Sequence, residues 1–482
     1  MRISRLLISV VILCLFAVPA AGGYSLQTHE QLIDLAWDAS IVPLLQSRYP
    51  TLTDAQIEHA RAYAYGGCVI QDIGYYPFGD PFFSDLTHYV RSGDFVVNLF
   101  RNAGNADELA FAIGALSHYI GDNIGHADAT NLAVPVEFPK LGDRYGKSVN
   151  YAEGKSQHVR TEFAFDVNEI SHGRFAPVHY LRHVGLQVPQ RQLELAFYQT
   201  YGLAEDFSAG RGRRVNVKGY RFAVGRFIPR IAYAVTLLNR HKEPPVVDSP
   251  ELQRLTAELS EVARKNHWDD YRRHAGIGTY TLAGLLYILP KVGPLKLVAV
   301  KGPTVDTDRE YMRSVLRSTD ALNFAIRRFT PPPSTRSSAQ EAARLDVHSQ
   351  PPPSDPLPAK LGAEQAVPRG SSDPRDPLRN RDLDTGSPIR PGAYPLTDAT
   401  YCRLIHRLVA KPSQAIPPGI KEDILAYYVD MHVNFATKSN PTSWKELQAD
   451  LITLQAMGTS NEPLPFPTYG TDEGDPSENA TH

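Results

Sequence analysis

Apolar residues recur at three- and four-residue intervals from Thr28 to about Arg328, in stretches such as Leu109 to Ile120 and Tyr220 to Leu238. That spacing gathers them on one face of an α-helix, and the strict alternation of half-buried strands is scarce. The reading is an all-α protein, a multi-helix bundle over residues 24–330. The pattern breaks at residues 331–395. Positions 331 to 393 hold 13 of the 38 prolines, many Ser, Asp and Arg, and no Phe, Trp or Tyr. Such a stretch has too little apolar surface to offset the entropy of ordering, so a disordered Pro-rich linker is expected. Helical patterning returns over 396–460, with Leu404 and Leu408, then Ile424, Tyr427, Tyr428 and Met431. It predicts a small helical segment that docks back on the bundle. The acidic tail, 461–482, is expected to fray.

Residues 1–23 read as a secretory signal. Arg2 and Arg5 form a positive start, Leu6 to Val18 an apolar stretch too short for a bilayer, and Pro19-Ala20-Ala21-Gly22-Gly23 a small-residue exit. A cut after Gly23 makes Tyr24 the mature N-terminus; cuts after Ala21 or Gly22 also fit. A secreted, periplasmic or extracellular protein is expected. Losing Arg2 and Arg5 takes the formal net charge from −2 to −4, so no global basic field draws the chain to nucleic acid. Cys14 lies inside the signal, and Cys68 and Cys402 are too few for a disulfide framework. Stability is left to a core and to metal.

Leu282 to Val300 is apolar but interrupted by Pro290, Lys291, Gly293, Pro294 and Lys296. Its ordinary reading is a buried helix and turn; its alternative is a basic, apolar surface that touches a membrane.

The candidate chemistry lies in the first part of the bundle. His118, Asp122 and His126 recur every fourth residue, and on a helix each step of four turns only about 40°, so they share one face. Their neighbours Phe111, Ile113, Leu116 and Ile120 are apolar. A carboxylate beside a buried face is costly unless paired, and a cation resolves that cost. His158 and Glu162 form a second i, i+4 pair. Asp72 and His88 flank a loop with Gly74, Pro77 and Gly79, and His29 stands five residues after Tyr24. Taken singly, each pair is an ordinary surface or turn feature; the ordered set is what points to metal. Glu169-Ile170-Ser171-His172 has the Glu-x-x-His pattern of di-iron bundles, which need it twice, and it occurs once.

These residues resemble the zinc-dependent phospholipase C superfamily, which includes S1/P1-type nucleases and the catalytic domain of glycosylphosphatidylinositol-specific phospholipase D. The matching segments are YSLQTHE with Tyr24 and His29, GGCVIQDIGYYP with Asp72, SDLTHY with His88, ALSHYIGDNIGHA with His118, Asp122 and His126, and SQHVRTE with His158 and Glu162. The four-residue step from Asp122 to His126 is closest to the glycosylphosphatidylinositol-specific branch. The resemblance implies up to three Zn²⁺ ions. Asp72, His88, His118 and one Asp122 oxygen would hold the first, and His126, His158 and Glu162 the second. The third would take His29, the other Asp122 oxygen, and the free amine and carbonyl of Tyr24.

The implied activity is hydrolysis of a phosphodiester by a zinc-activated water, with a phospholipid cut in C or D fashion as substrate and Asp72 doubling as a base. Tyr75, Tyr76, Phe78, Phe82 and Phe83 crowd the loop between Asp72 and His88 and are the candidate substrate contacts; a hydrophobic plug over that loop is the plainer reading. Transient contact with a membrane surface is expected, with no obligate protein partner. The alternatives are a non-catalytic, zinc-stabilised surface or binding protein and a single-strand nuclease. Glu162, where the nucleases commonly carry Asp, argues against the last.

Overall fold

The computed structural model describes residues 25–76, 79–205, 207, 217–239, 248–273, 276–290, 298–329 and 378–460. The expected signal sequence, Tyr24, Phe78, most of the expected linker and the acidic tail therefore lie outside the described residues. Helices dominate, as the periodicity predicts.

The first helices are α1 (Leu26–Ala36), α2 (Val42–Arg48), α3 (Asp54–Gly67), α4 (Pro81–Tyr89) and α5 (Ser92–Arg101). At the centre of the bundle is α6 (Ala106–Gly125). The Asn105 side chain accepts from Glu108 N at 2.9 Å, and Asp107 and Glu108 place negative charge in the first turn, both favourable at a helix N-terminus. After those two acids every residue of α6 is buried, so the helix is a core element with no solvent face. Its closest neighbour is α3, started by a capping box of Thr53 and Gln56. A Cβ on Gly67 would stand 2.1 Å from Phe111 O, and one on Gly114 would stand 2.3 Å from Ala64 O. These two glycines let the backbones touch, and that contact brings the end of α3 to the middle of α6.

α1 is buried along its whole length. Its N-terminal turn is held by Asp166, which accepts from Gln27 N at 3.0 Å and Thr28 Oγ1 at 2.8 Å. Asp166 comes from α9 (Lys155–Ser171), which follows α7 (Asn131–Glu137) and α8 (Pro139–Tyr145). Burial pushes the Asp166 carboxyl up to about 6 against these hydrogen bonds. The bundle continues with α10 (Val178–Val184), α11 (Gln190–Tyr201), α12 (Val217–Phe222), α13 (Ile228–Asn239), α14 (Pro250–Lys265), α15 (Trp268–Tyr271), α16 (Ile277–Ile288) and α17 (Val305–Phe329).

The ordinary reading of Leu282 to Val300 holds only in part. Ala283, Leu286, Val298 and Val300 are buried, but Ile277, Tyr280, Tyr287 and Ile288 of α16 are exposed, Tyr287 and Ile288 by 77% and 79%. Residues 291–297 lie outside the described residues. Among the described residues no helix is long and apolar enough to cross a membrane.

One boundary needs correction. The expected disordered linker reaches 395, yet residues 378–395 hold a defined path in which Asn380 to Asp384, Ile389 and Tyr394 are buried. A short antiparallel pair, β1 (Arg381–Asp382) and β2 (Ser387–Pro388), pairs Arg381 with Pro388 and Asp382 with Ser387. Ser92 Oγ donates to Arg381 O at 2.6 Å, Asp94 N donates to Asn380 Oδ1 at 3.0 Å, and Leu383 N donates to His88 O at 3.2 Å. This strap is anchored by hydrogen bonds to α4 and α5, so its poverty in apolar residues misled the compositional argument. The expected C-terminal helices follow as α18 (Pro395–Val409), α19 (Pro418–Tyr427) and α20 (Pro441–Ala456). Tyr401, Leu404, Ile405, Leu408, Ile424 and Tyr427 join the same apolar core as α6. The segment is docked.

Candidate metal centre

His118 and Asp122 lie one turn apart on α6. His126 follows as the first residue of a widened π turn, His126–Thr130, a distortion that recurs at functional sites. The face that carries these three residues meets α1 with His29, the 3₁₀ turn Ile70–Gly74 with Asp72, α4 with His88, and α9 with His158 and Glu162. All eight side chains are buried, none more than 2% exposed.

Three groups form, each with donor atoms within 4.8 Å of one another: His29 with His118 and Asp122, Asp72 with His88 and His118, and His126 with His158 and Glu162. Asp122 Oδ1 lies 3.2 Å from His29 Nε2, and Oδ2 lies 3.1 Å from His118 Nε2 and 3.4 Å from His88 Nε2. His88 Nε2 is also 3.3 Å from Asp72 Oδ1. In the remaining group Glu162 Oε1 is 2.6 Å from His158 Nδ1 and 3.6 Å from His126 Nε2. The expected single row of ligands on α6 is thus divided: His118 and Asp122 serve one end of the centre and His126 the other.

The outer nitrogen of four imidazoles faces an oxygen that can only accept. His88 Nδ1 meets Ser84 O at 2.8 Å, His118 Nδ1 meets Cys68 O at 3.1 Å, His126 Nδ1 meets Leu383 O at 2.8 Å, and His158 Nε2 meets Asn131 Oδ1 at 2.8 Å. Each outer nitrogen therefore carries hydrogen, which directs a lone pair into the cluster. His88 Nε2 and His118 Nε2 then face each other across 3.4 Å. Two lone pairs beside a buried carboxylate are repulsive unless a proton or a cation lies among them. The residues fit zinc, which takes nitrogen and carboxylate oxygen in low coordination number.

The electrostatics among these side chains express the same conflict. Burial raises the Asp122 carboxyl, but His118, then His29 and His88, overcome it and hold it well below the usual range. Burial lowers His88, yet Asp122 and Asp72 lift it well above its ordinary value. His158 is pulled well below by burial and by His126, and His29 is lowered by burial and by His118. Carboxylates and imidazoles compete for protons that a divalent cation displaces.

Residues 28–205 match the family model for zinc dependent phospholipase C. This region belongs to that family. No match was found among curated proteins or among solved structures. The phospholipase C region contains all eight clustered side chains and ends before the strap and the C-terminal helices. Its zinc chemistry and its all-α fold agree with the geometry.

Several sequence-level candidates sit elsewhere. Phe82 and Phe83 are core residues rather than substrate contacts, as is Tyr76. Phe83 stacks on Phe197 at 4.9 Å, Phe82 lies beneath Arg407 and Arg403 at 4.1 and 4.5 Å, and Tyr76 stacks on Tyr220 at 6.2 Å. The plainer reading of a hydrophobic plug describes them, because all three are buried, none more than 3% exposed. Tyr75 is also buried, with its ring 5.5 Å from that of His88 and its hydroxyl donating to Asp85. Glu169 is engaged by Arg174 at 2.9 and 2.5 Å, and His172 Nδ1 by Asn168 O at 2.8 Å, so no di-iron motif assembles there. Conversely, sequence reasoning missed Asn131 and Leu383, which bond His158 and His126, and Asp384, whose carbonyl holds Asn131 and whose carboxylate Oδ1 lies 3.8 Å from His126 Nδ1. The turn-forming run Asp382-Leu383-Asp384-Thr385-Gly386 was the one available signal, and it spoke of a bend rather than of a site.

Proposed function

We propose that this protein hydrolyses the phosphodiester of a phospholipid, in C or D fashion, with Asp72, His88, His118 and Asp122 holding one zinc and His126, His158 and Glu162 a second. His29 and the other Asp122 oxygen, with the main chain of Tyr24, would hold a third. The observation that carries this reading is the convergence of eight buried donors, drawn from six separate elements, inside the family-matched region. Bound there, zinc supplies an acidified water near neutral pH and positive charge for the phosphate oxygens. The chain's own part is to fix that centre. Asp122 links two of the three groups, the carbonyls of Ser84 and Cys68 set the His88 and His118 tautomers, and Asp72 stands beside His88 as the candidate base for the attacking water.

A lipid surface suits α16. The helix has no charged residue, exposes Ile277, Tyr280, Tyr287 and Ile288, and is preceded by exposed Arg272 and Arg273. Aromatic and aliphatic side chains with flanking positive charge fit an anionic interface. The test of the whole reading is turnover by the zinc-loaded protein on phosphatidylcholine, phosphatidylinositol, glycosylphosphatidylinositol and single-stranded DNA, with products separated by mass. A diacylglycerol or phosphatidate product supports it. Zinc binding with no turnover of any phosphodiester favours a zinc-stabilised binding protein, and preferred cleavage of DNA favours a nuclease.

A further inference from the structure

The group His126, His158 and Glu162 differs from the rest of the centre in what orients it. His88 and His118 are fixed by carbonyls within the family-matched region. Both histidines of this group are governed by one turn of the strap, outside that region. Leu383 O takes His126 Nδ1–H at 2.8 Å, 257 residues away in sequence. The next carbonyl, Asp384 O, takes Asn131 Nδ2–H at 2.8 Å. This second bond decides which way the Asn131 amide faces. With its amino group committed to Asp384 O, Asn131 must present Oδ1 to His158 Nε2, at 2.8 Å. His158 then carries its proton on Nε2 and turns the Nδ1 lone pair toward Glu162. Reversing the amide would set N–H against N–H, a loss of two buried hydrogen bonds.

The turn itself is rigidly mounted. Leu383 N donates to His88 O at 3.2 Å, Asp384 N to Asp382 Oδ1 at 3.0 Å, and Arg381 Nη1 to Gly386 O at 2.6 Å. The Asp384 carboxylate accepts from Tyr89 at 2.9 Å and Tyr394 at 2.5 Å through Oδ2. Gly386 lies at φ +66, where a Cβ would stand 2.6 Å from Asn123 O of α6, so the strap presses directly on the helix that carries Asp122 and leads into His126.

We propose that the Leu383–Asp384 turn is a positioning element of the second zinc position, setting the tautomers of His126 directly and of His158 through Asn131. The functional unit therefore extends past the family-matched helices to the strap. This rests on the zinc reading above. Bonds of this kind are worth about 10- to 100-fold in metal affinity.

The experiment uses the full chain and two substitutions. Asn131→Leu keeps the volume but removes both bonds of the relay, and Gly386→Ala pushes the turn away from α6 without touching a ligand. Zinc per chain is measured by elemental mass spectrometry over a series of buffered free-zinc concentrations, with thermal melting of the chelated forms alongside. In both variants one class of zinc should weaken about 10- to 100-fold while the other class keeps its wild-type affinity. Unchanged affinity for every zinc overturns the proposal. So does an equal weakening of all classes with a matching fall in chelated-form melting temperature, the signature of a merely structural strap. If Asn131→Leu does not fold, Gly386→Ala alone decides. Failure of the wild-type chain to take up zinc would sink the zinc reading itself, a result distinct from either of these.

Discussion

Replacing Asp122 with Asn changes the centre more than its small size suggests. The two carboxylate oxygens face different groups: Oδ1 is 3.2 Å from His29 Nε2, while Oδ2 is 3.1 Å from His118 Nε2 and 3.4 Å from His88 Nε2. An amide keeps one oxygen, without its charge, and offers an NH₂ that cannot ligate at the other position. Whichever way the amide turns, one group loses a ligand and the other exchanges an anion for a dipole. Removing one partner of a buried charge pair costs about 3–5 kcal/mol, which at about 1.4 kcal/mol per tenfold is a factor of roughly 10² to 4 × 10³ in zinc affinity. The assay is competition against a chromophoric chelator, with zinc counted per chain after dialysis. A cooperative melt of the chelated variant shows that the fold survives. The His126, His158 and Glu162 group shares no atom with Asp122 and should keep its zinc. Wild-type zinc content at every position, with an unchanged competition curve, would refute the idea that Asp122 links two metal positions.

Three further outcomes follow from the packing and the buried charges. Gly67→Ala places a methyl group 2.1 Å from Phe111 O between two helix backbones that cannot part locally, so denaturant unfolding should show a loss of about 3 kcal/mol or more; a change under 1 kcal/mol would mean that α3 and α6 can separate cheaply. Burial lifts the Glu137 carboxyl from 4.5 to about 8, with Thr161 and Arg160 opposing. The folded state thus holds a proton that the unfolded chain releases, and stability declines as pH rises from about 4.5 to about 8. Glu137→Gln removes that slope and should gain of order 4 kcal/mol at pH 8 but little at pH 4.5, read from urea melts at both pH values; an equal gain at both would show another cause. His172→Ala should leave zinc content untouched, since His172 is committed to Asn168 O, and loss of a zinc on elemental analysis would restore the Glu169 and His172 pair as ligands.

The helices and most of the centre were legible in the sequence because helical geometry ties position to direction. His118 and Asp122, or His158 and Glu162, can be placed together from a spacing of four alone, and the apolar neighbours of α6 state that the pair is buried. The division of the α6 row was not legible, because the π turn at His126 is a backbone event with no side-chain signature. The aromatic loop failed for a related reason. Whether Phe82 and Phe83 face a lipid or a core depends on Phe95, Phe197 and Arg407, which only tertiary packing brings to them.

The strap was the largest omission, and its cause is general. Compositional reasoning asks what side chains can bury, and residues 378–394 bury few apolar ones. What they contribute is backbone: Arg379 O accepts from Tyr119, Leu383 O from His126, and Asp384 O from Asn131. Any residue type supplies a carbonyl, so no residue type announces it, and the information lies in the shape of the turn. That shape depends on Gly386 at positive φ and on the short pair Arg381–Asp382 with Ser387–Pro388. A chain ended at the last bundle helix would keep all eight donors yet lose the acceptor opposite His126 and the group that fixes Asn131. The extent of a metal centre is therefore set by whatever holds its imidazoles in one tautomer, which here reaches past the helices that carry them.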